Sequence, residues 1–220
     1  MRSFVFGLFF GLAVLASAVV LRPVFLLDIP TVPSPHTRFW EVQELPFHMV
    51  LSTRGADFLK DVESFSPTAY PDAGGGYSIG YGFQRWKGRR VTRAYPGRVT
   101  AAQSNVEFQR QLGLYEGIVR ASLVENVTQP MFDALVSVCY NTGRVTASLR
   151  RKLRDSEMIT VRDFTASATV RGKFHAGVYY RRLREYLVFA GRYDEAMTTR
   201  YTSVAHARAA YQEFLSVPAY

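Results

Sequence analysis

From Ser52 onward the apolar positions fall at helical spacing. Phe58, Leu59, Val62 and Phe65 recur behind a serine whose hydroxyl can cap a first turn. This predicts a helix with Glu63 in its last turn and Pro67 as its stop. The next stretch, "AYPDAGGGYSIGYGF", puts the turn formers Pro71, Asp72, Gly74, Gly75 and Gly76 ahead of an alternating run, the pattern of a small hairpin. "RVTAAQSNVEFQRQLGLYEGIVRASL" opens on Thr100 as an N-cap and sets Val106, Leu112, Tyr115 and Val119 near one face, which predicts a long helix with Gly113 as a candidate break. In "QPMFDALVSVCYNTG", Phe132, Leu135, Val136 and Cys139 form the i, i+3, i+4, i+7 stripe of a buried helix, and Gly143 is its C-terminal stop. "ASLRRKLRD", "VRDFTASAT", "YYRRLREYLVFAG" and "AHARAAYQEFLS" read as further helices joined by short loops. The expected fold class is α+β: a mostly helical domain with one small antiparallel β-sheet near its start.

Ahead of this domain lies a different pattern. "FVFGLFFGLAVLASAVVL", residues 4–21, carries no charge, is bracketed by Arg2 and Arg22, and is just long enough to cross a bilayer as a helix. It reads as membrane-directed, either a cleavable signal peptide with Ala16-Ser17-Ala18 as the small-residue cleavage pattern, or an uncleaved signal anchor. One arginine on each side leaves the orientation open. Pro23, Pro30, Pro33 and Pro35 then mark a linker. The expected organisation is a hydrophobic N-terminal helix over 1–22, a proline-rich linker over 23–46 and a folded domain over 47–220, with the bulk of the chain exported.

Composition narrows the partners. With 27 Lys+Arg against 18 Asp+Glu in 220 residues, the formal charge of +9 suits nucleic acid, anionic lipid or an acidic cell-wall polymer. The basic runs "RWKGRR", "RVTASLRRKLR" and "YYRRLRE" are scattered and match no nucleic-acid motif, so nucleic acid is not expected as a partner. The single cysteine, Cys139, excludes an intramolecular disulfide, and its apolar surroundings make it a buried structural thiol.

The candidate chemistry is concentrated in "ESFSPTAYPDAGGGYSIGYG". Glu63, Asp72 and Ser78 are separated by nine and then six positions, across a helix end and a hairpin that can fold back on it. A carboxylate at the negative end of a helix dipole is disfavoured as an anion, which suits a general acid; one in a glycine-rich turn among backbone N–H groups tends to stay ionised. Two carboxyl groups pushed apart in this way can protonate a leaving oxygen while the other acts on water or on a sugar.

"DFLKDVESFSPTAYPDAGGGYSIGYG" resembles the phage-type lysozymes, the endolysin family classed as glycoside hydrolase family 24. That family's pattern is a Glu, an Asp nine residues on, a Thr six further and then Gly-aromatic-Gly. Here Glu63, Asp72, Ser78 and Gly80-Tyr81-Gly82 take those places. "VTAAQSNVEFQRQL", "QPMFDALVSVCYNTG" and "GVYYRRLREYLVFAGRY" are similar to later blocks of the family in the same order, so the likeness runs from about Leu51 to Asp194.

The resemblance implies a lysozyme-like fold and a muramidase that cuts the N-acetylmuramic acid to N-acetylglucosamine bond of bacterial peptidoglycan, without metal or cofactor and as a monomer. It gives Glu63 the role of general acid, Asp72 that of positioning or activating water, and Ser78 that of helping to hold this water. Tyr81, Gly82, Asn141, Gly143 and Arg181 would be substrate-binding or cleft-lining, with Arg181 or Arg182 supplying positive charge near Glu63. There are two departures: Ser78 stands for the usual Thr, and Phe83 stands where the family often has His. The Gly/Ala-rich segment 4–21 is similar to signal-anchor-release segments of some endolysins, which implies an enzyme tethered at the inner membrane and then periplasmic, or secreted. A lytic transglycosylase and a non-catalytic wall-binding protein on a lysozyme scaffold are the alternatives. Asp72→Asn separates the first of these and Glu63→Gln the second.

Overall fold

The structure, a computed structural model, describes residues 48–72, 75–123 and 127–215. The expected membrane-directed segment and proline linker lie outside these residues. Among the described residues no helix is long and apolar enough to cross a membrane.

Helix α1 (Thr53–Glu63) starts where Ser52 Oγ accepts the N–H of Gly55 at 3.0 Å. It ends earlier than the proline signal suggests. Ser64 adopts φ 57° and bonds its N–H to Lys60 O, so the chain leaves the helix three residues before Pro67. Phe65 consequently lies beyond the helical stripe, where it is exposed and meets the Tyr81 ring at 5.6 Å.

Strands β1 (Ser66–Pro71) and β2 (Tyr77–Gly80) form the expected hairpin, with Tyr70 opposite Ser78 and an irregularity between Ser66 and Tyr70. A second hairpin, β3 (Arg85–Trp86) with β4 (Arg89–Arg90), follows, and a third, β5 (Thr169–Val170) with β6 (Lys173–Phe174), interrupts the helices later. Two-residue strands are too short to leave an alternation in the sequence.

Helix α2 (Ala101–Ser122) begins at the predicted Thr100, which shares a reciprocal capping box with Gln103. It runs unbroken through Gly113, around which no foreign atom stands within 4 Å, so the intrahelical hydrogen bonds alone carry the glycine. Its inward face is Phe108, Leu112 and Val119, and Val106 is 74% exposed. Two positions before Phe108 is roughly 200° around the helix, which turns Val106 outward.

Helix α3 (Gln129–Thr142) buries Phe132, Leu135, Val136 and Cys139 as its pattern requires, and Ala134, Ser137 and Val138 as well. It is buried on nearly all sides because α1, α2 and α6 (Ala176–Phe189) all pack on it. Gly143 ends it with φ 75°, the left-handed turn that a glycine enters without steric cost. Helices α4 (Ala147–Arg154), α5 (Val161–Thr165), α7 (Tyr193–Thr198) and α8 (Val204–Leu215) complete the α+β domain, with α5 and α7 against α6. The short α7 has too few turns to show a stripe.

The start of α1 is anchored on α3 through Asp133. This buried carboxylate accepts the Ser52 N–H at 3.0 Å, the Gln129 side chain at 2.7 Å and the Tyr193 hydroxyl at 2.6 Å. A Cβ at Gly55 would stand 2.5 Å from it, so the glycine is what lets the helix approach.

Candidate active site

Glu63 is the last residue of α1, and its side chain is 13% exposed. Arg181, from α6, donates from Nη1 to Glu63 Oε1 at 2.5 Å, from Nε to Glu185 Oε1 at 2.8 Å and from Nη2 to the Ser137 carbonyl at 3.1 Å. Glu185 is wholly buried and also accepts from Ser137 Oγ at 2.7 Å and from Arg182. Arg182 continues to Asn141 Oδ1 at 2.6 Å and Ser167 Oγ at 2.9 Å. Burial opposes both charges. The Glu63 and Glu185 carboxylates nevertheless hold the Arg181 guanidinium well above its ordinary value, and Arg182 and Arg181 hold Glu185 below its own. The cluster is a buried, mutually paired pedestal beneath Glu63.

The other Glu63 oxygen, Oε2, has no hydrogen bond among the described residues and lies against Gly82, which has φ 80° and on which a Cβ would stand 2.6 Å from that oxygen. Asp72 is arranged differently. Its Oδ1 accepts from Gly76 N at 3.0 Å, and its Oδ2 accepts from Ser78 Oγ at 3.2 Å and Gln84 Nε2 at 3.3 Å. Those donors suit an acceptor-only anion. Tyr70 ties the two carboxylates to one cleft: burial raises its hydroxyl pKa, and the charges of Glu63 and Asp72 raise it further. Tyr140, from α3, is raised well above the ordinary value by burial and by Glu63, and its hydroxyl donates to Tyr81 O at 2.8 Å.

Glu63, Asp72, Ser78, Gly82 and Arg181 thus come together. Asn141 joins at one remove, through Arg182. The Tyr81 ring packs between Phe65 and Phe108, with its carbonyl turned to Tyr140. Gly143 serves as the α3 cap. Phe83 is buried and packs on Trp86 at 6.0 Å, so this position contributes to the core here, and the adjacent Gln84 supplies the polar contact to Asp72.

Sequence reasoning missed Tyr70, Gln84, Ser137 and Glu185. Tyr70 had a signal, since Thr68, Tyr70 and Asp72 alternate along one strand face. Ser137 had one too, as a polar residue four before Asn141 on an apolar helix. Gln84 had none. Among the described residues no three His, Cys, Asp or Glu side chains gather as metal ligands would.

Residues 60–185, a span that includes every one of these side chains, match the family model of the phage lysozymes. The chain belongs to the phage lysozyme family. No match was found among the curated proteins. Among solved structures, the endolysin from Escherichia coli O157:H7 phage FAHEc1 is similar at 30% identity with a TM-score of 0.55, over 64% of this chain and 94% of that one. A mutant of P22 lysozyme (24% identity, TM-score 0.54, 64% and 98% covered) and the active form of the P1 phage endolysin Lyz (16%, 0.55, 66% and 87%) share the fold. This phage lysozyme is therefore a glycoside hydrolase of peptidoglycan with a lysozyme-like α+β fold.

Proposed function

We propose that this lysozyme is a muramidase that cleaves the β-1,4 bond from N-acetylmuramic acid to N-acetylglucosamine, for bacterial cell-wall degradation and host lysis. Glu63 Oε2 gives its proton to the glycosidic oxygen, the C1–O bond breaks, and water adds to C1 as its proton passes to Asp72. Solvent exchange then returns a proton to Glu63 and removes one from Asp72. The observation that carries the reading is the contrast between the two carboxyl groups: Glu63 is bonded through Oε1 to Arg181 while its Oε2 lies under Gly82 without a hydrogen bond among the described residues, whereas both oxygens of Asp72 accept, from Gly76, Ser78 and Gln84. In this reading Arg181 orients Glu63, and Ser78 holds Asp72 and shares its water. Tyr81, Gly82, Asn141 and Gly143 border the sugar sites.

The same reading puts the enzyme outside the cytoplasm, as a monomer exported by segment 4–21 and tethered by it or released from it. Carbonate extraction of expressing cells, followed by the intact mass of the chain, distinguishes tethered, cleaved and released forms.

The test of the reaction is mass spectrometry of the sugar ends released from purified peptidoglycan by the full chain and by Glu63→Gln. Hydrated, reducing N-acetylmuramic acid ends that vanish with Glu63→Gln are expected. Anhydro ends would make the enzyme a lytic transglycosylase, and no release would leave a wall-binding protein.

A further inference from the structure

One stretch of the described domain is rich in cations and free of acids. Residues 73–106 contain six cations, Arg85, Lys87, Arg89, Arg90, Arg93 and Arg98, and no Asp or Glu. All six side chains are exposed, and none forms an ion pair among the described residues. Elsewhere several exposed arginines do face carboxylates, Arg54 at Asp194, Arg151 at Glu157 and Arg200 at Asp61, and those without an ion pair, such as Arg144, Arg150 and Arg208, are scattered along the sequence. The nearest acid along the chain, Glu107, is turned inward, where it accepts from Arg110, Gln111 and the Lys87 backbone.

The hairpin carrying these charges is firmly held. Trp86 and Val91 are buried beneath it, Gln111 donates to Arg85 O at 3.1 Å, and Arg89 lies 4.4 Å from the centre of the Tyr95 ring. It is also attached to the Asp72 side of the cleft. Phe83 pairs with Ile79, Gln84 reaches Asp72, and Val99 N donates to Pro67 O at 2.8 Å. These contacts put the base of the hairpin on the flank of the cleft that carries Asp72.

We infer that the 85–98 hairpin is a docking ledge for the free carboxylates of peptidoglycan stem peptides, so that the enzyme reads the acidic peptide branches as well as the sugar backbone. This rests on peptidoglycan being the substrate and not on which bond is cut. Arginine forks match carboxylates bidentately, and unpaired exposed cations gain from such a partner without first breaking an internal ion pair. A lipid surface fits less well, because the apolar residues of the hairpin, Trp86 and Val91, face inward and leave nothing to insert.

The test measures binding without cleavage. The full chain carrying Glu63→Gln, in non-ionic detergent, is sedimented with purified sacculi, alone and with Lys87→Gln, Arg90→Gln and Arg93→Gln added. These three side chains make none of the contacts that hold the hairpin, and an unchanged melting temperature checks that the fold is kept. Removing three cations is expected to weaken binding roughly tenfold at low salt and to flatten its salt dependence. Sacculi whose carboxylates have been amidated with carbodiimide should bind the parent chain as weakly as native sacculi bind the triple variant. Equal binding of parent and triple variant overturns the proposal. So does undiminished binding to amidated sacculi, and in that case charge-dependent capture on phosphatidylglycerol vesicles would reassign the hairpin to a lipid surface. Failure of the muramidase reading would appear in the sugar ends and leave this result standing.

Discussion

Gly82 stands over the Glu63 carboxylate so closely that a Cβ built on it would lie 2.6 Å from Glu63 Oε2. No L side chain accepts that contact, and the φ of 80° disfavours one independently. Gly82→Ala should therefore displace the oxygen that faces the cleft. The expected result is a fall in kcat of about 100-fold, as ~1 Å misplacements produce, with a backbone cost of about 1–2 kcal/mol. An alanine variant with parental kcat on purified peptidoglycan would show that Oε2 needs no open approach.

Arg181 holds Glu63, Glu185 and the Ser137 carbonyl with one planar group. Arg181→Met leaves Glu185 buried with half its compensation and should cost about 3–5 kcal/mol in urea unfolding. Arg181→Lys restores a charge but not the fork, so it should recover part of the stability and little of the activity. Full recovery of turnover by lysine would mean that charge alone matters at this position.

Ser78→Ala removes one donor from Asp72 Oδ2 and leaves Gly76 and Gln84 in place. A hydrogen bond to a charged group contributes about 1.5–3 kcal/mol, so kcat should drop roughly 10- to 100-fold with KM little changed. The kcat and KM of the variant on peptidoglycan fragments check this split.

Acid should unfold the protein through its interior. Burial pushes Glu185 upward, but Arg182 and Arg181 more than reverse this; for Asp163, hydrogen bonds from Thr160 and Lys152 do the same. Because both native values lie below the unfolded ones, these carboxylates stabilise the fold fully above the ordinary range of about 4. The contribution disappears as pH falls through the lower native values, at up to about 1.4 kcal/mol per pH unit for each proton taken up. Urea melts between pH 3 and 7 should show this slope, and Glu185→Gln should lower stability at pH 7 while flattening the acid limb.

Cys139 is buried in α3, and burial pushes its thiol up to about 11. Neutral and inaccessible, it should resist a thiol reagent at pH 8 until denaturant unfolds the chain. The labelling midpoint should coincide with the circular dichroism midpoint; labelling at far lower denaturant would reveal local opening of α3.

The parts of this fold that the sequence revealed were those whose periodicity repeats over several turns. Phe132, Leu135, Val136 and Cys139 announced α3, and the Thr100 cap located the start of α2 to the residue. The parts it concealed depend on contacts between distant segments. Ser64 overrode Pro67 as the end of α1 through its local backbone, and Gln84 meets Asp72 only because the chain reverses at β2. At the site, Glu63, Asp72, Ser78, Gly82 and Arg181 were legible as a pattern. The pedestal of Ser137 and Glu185 was not, because a polar residue inside an apolar stripe declares no partner.

Helix α3 sets the position of α1 at both ends. Asp133 pins the start, and Ser137, through Arg181, pins the acid at the finish, four residues further along the same helix. α1 is therefore a crossbar bolted twice to one post, and the coordinates of the reacting proton are measured off along α3. A one-residue insertion between Asp133 and Ser137 would rotate one bolt by about 100° relative to the other. Substitutions across the surface can drift while that four-residue interval stays rigid, which makes α3 the gauge from which the cleft is dimensioned.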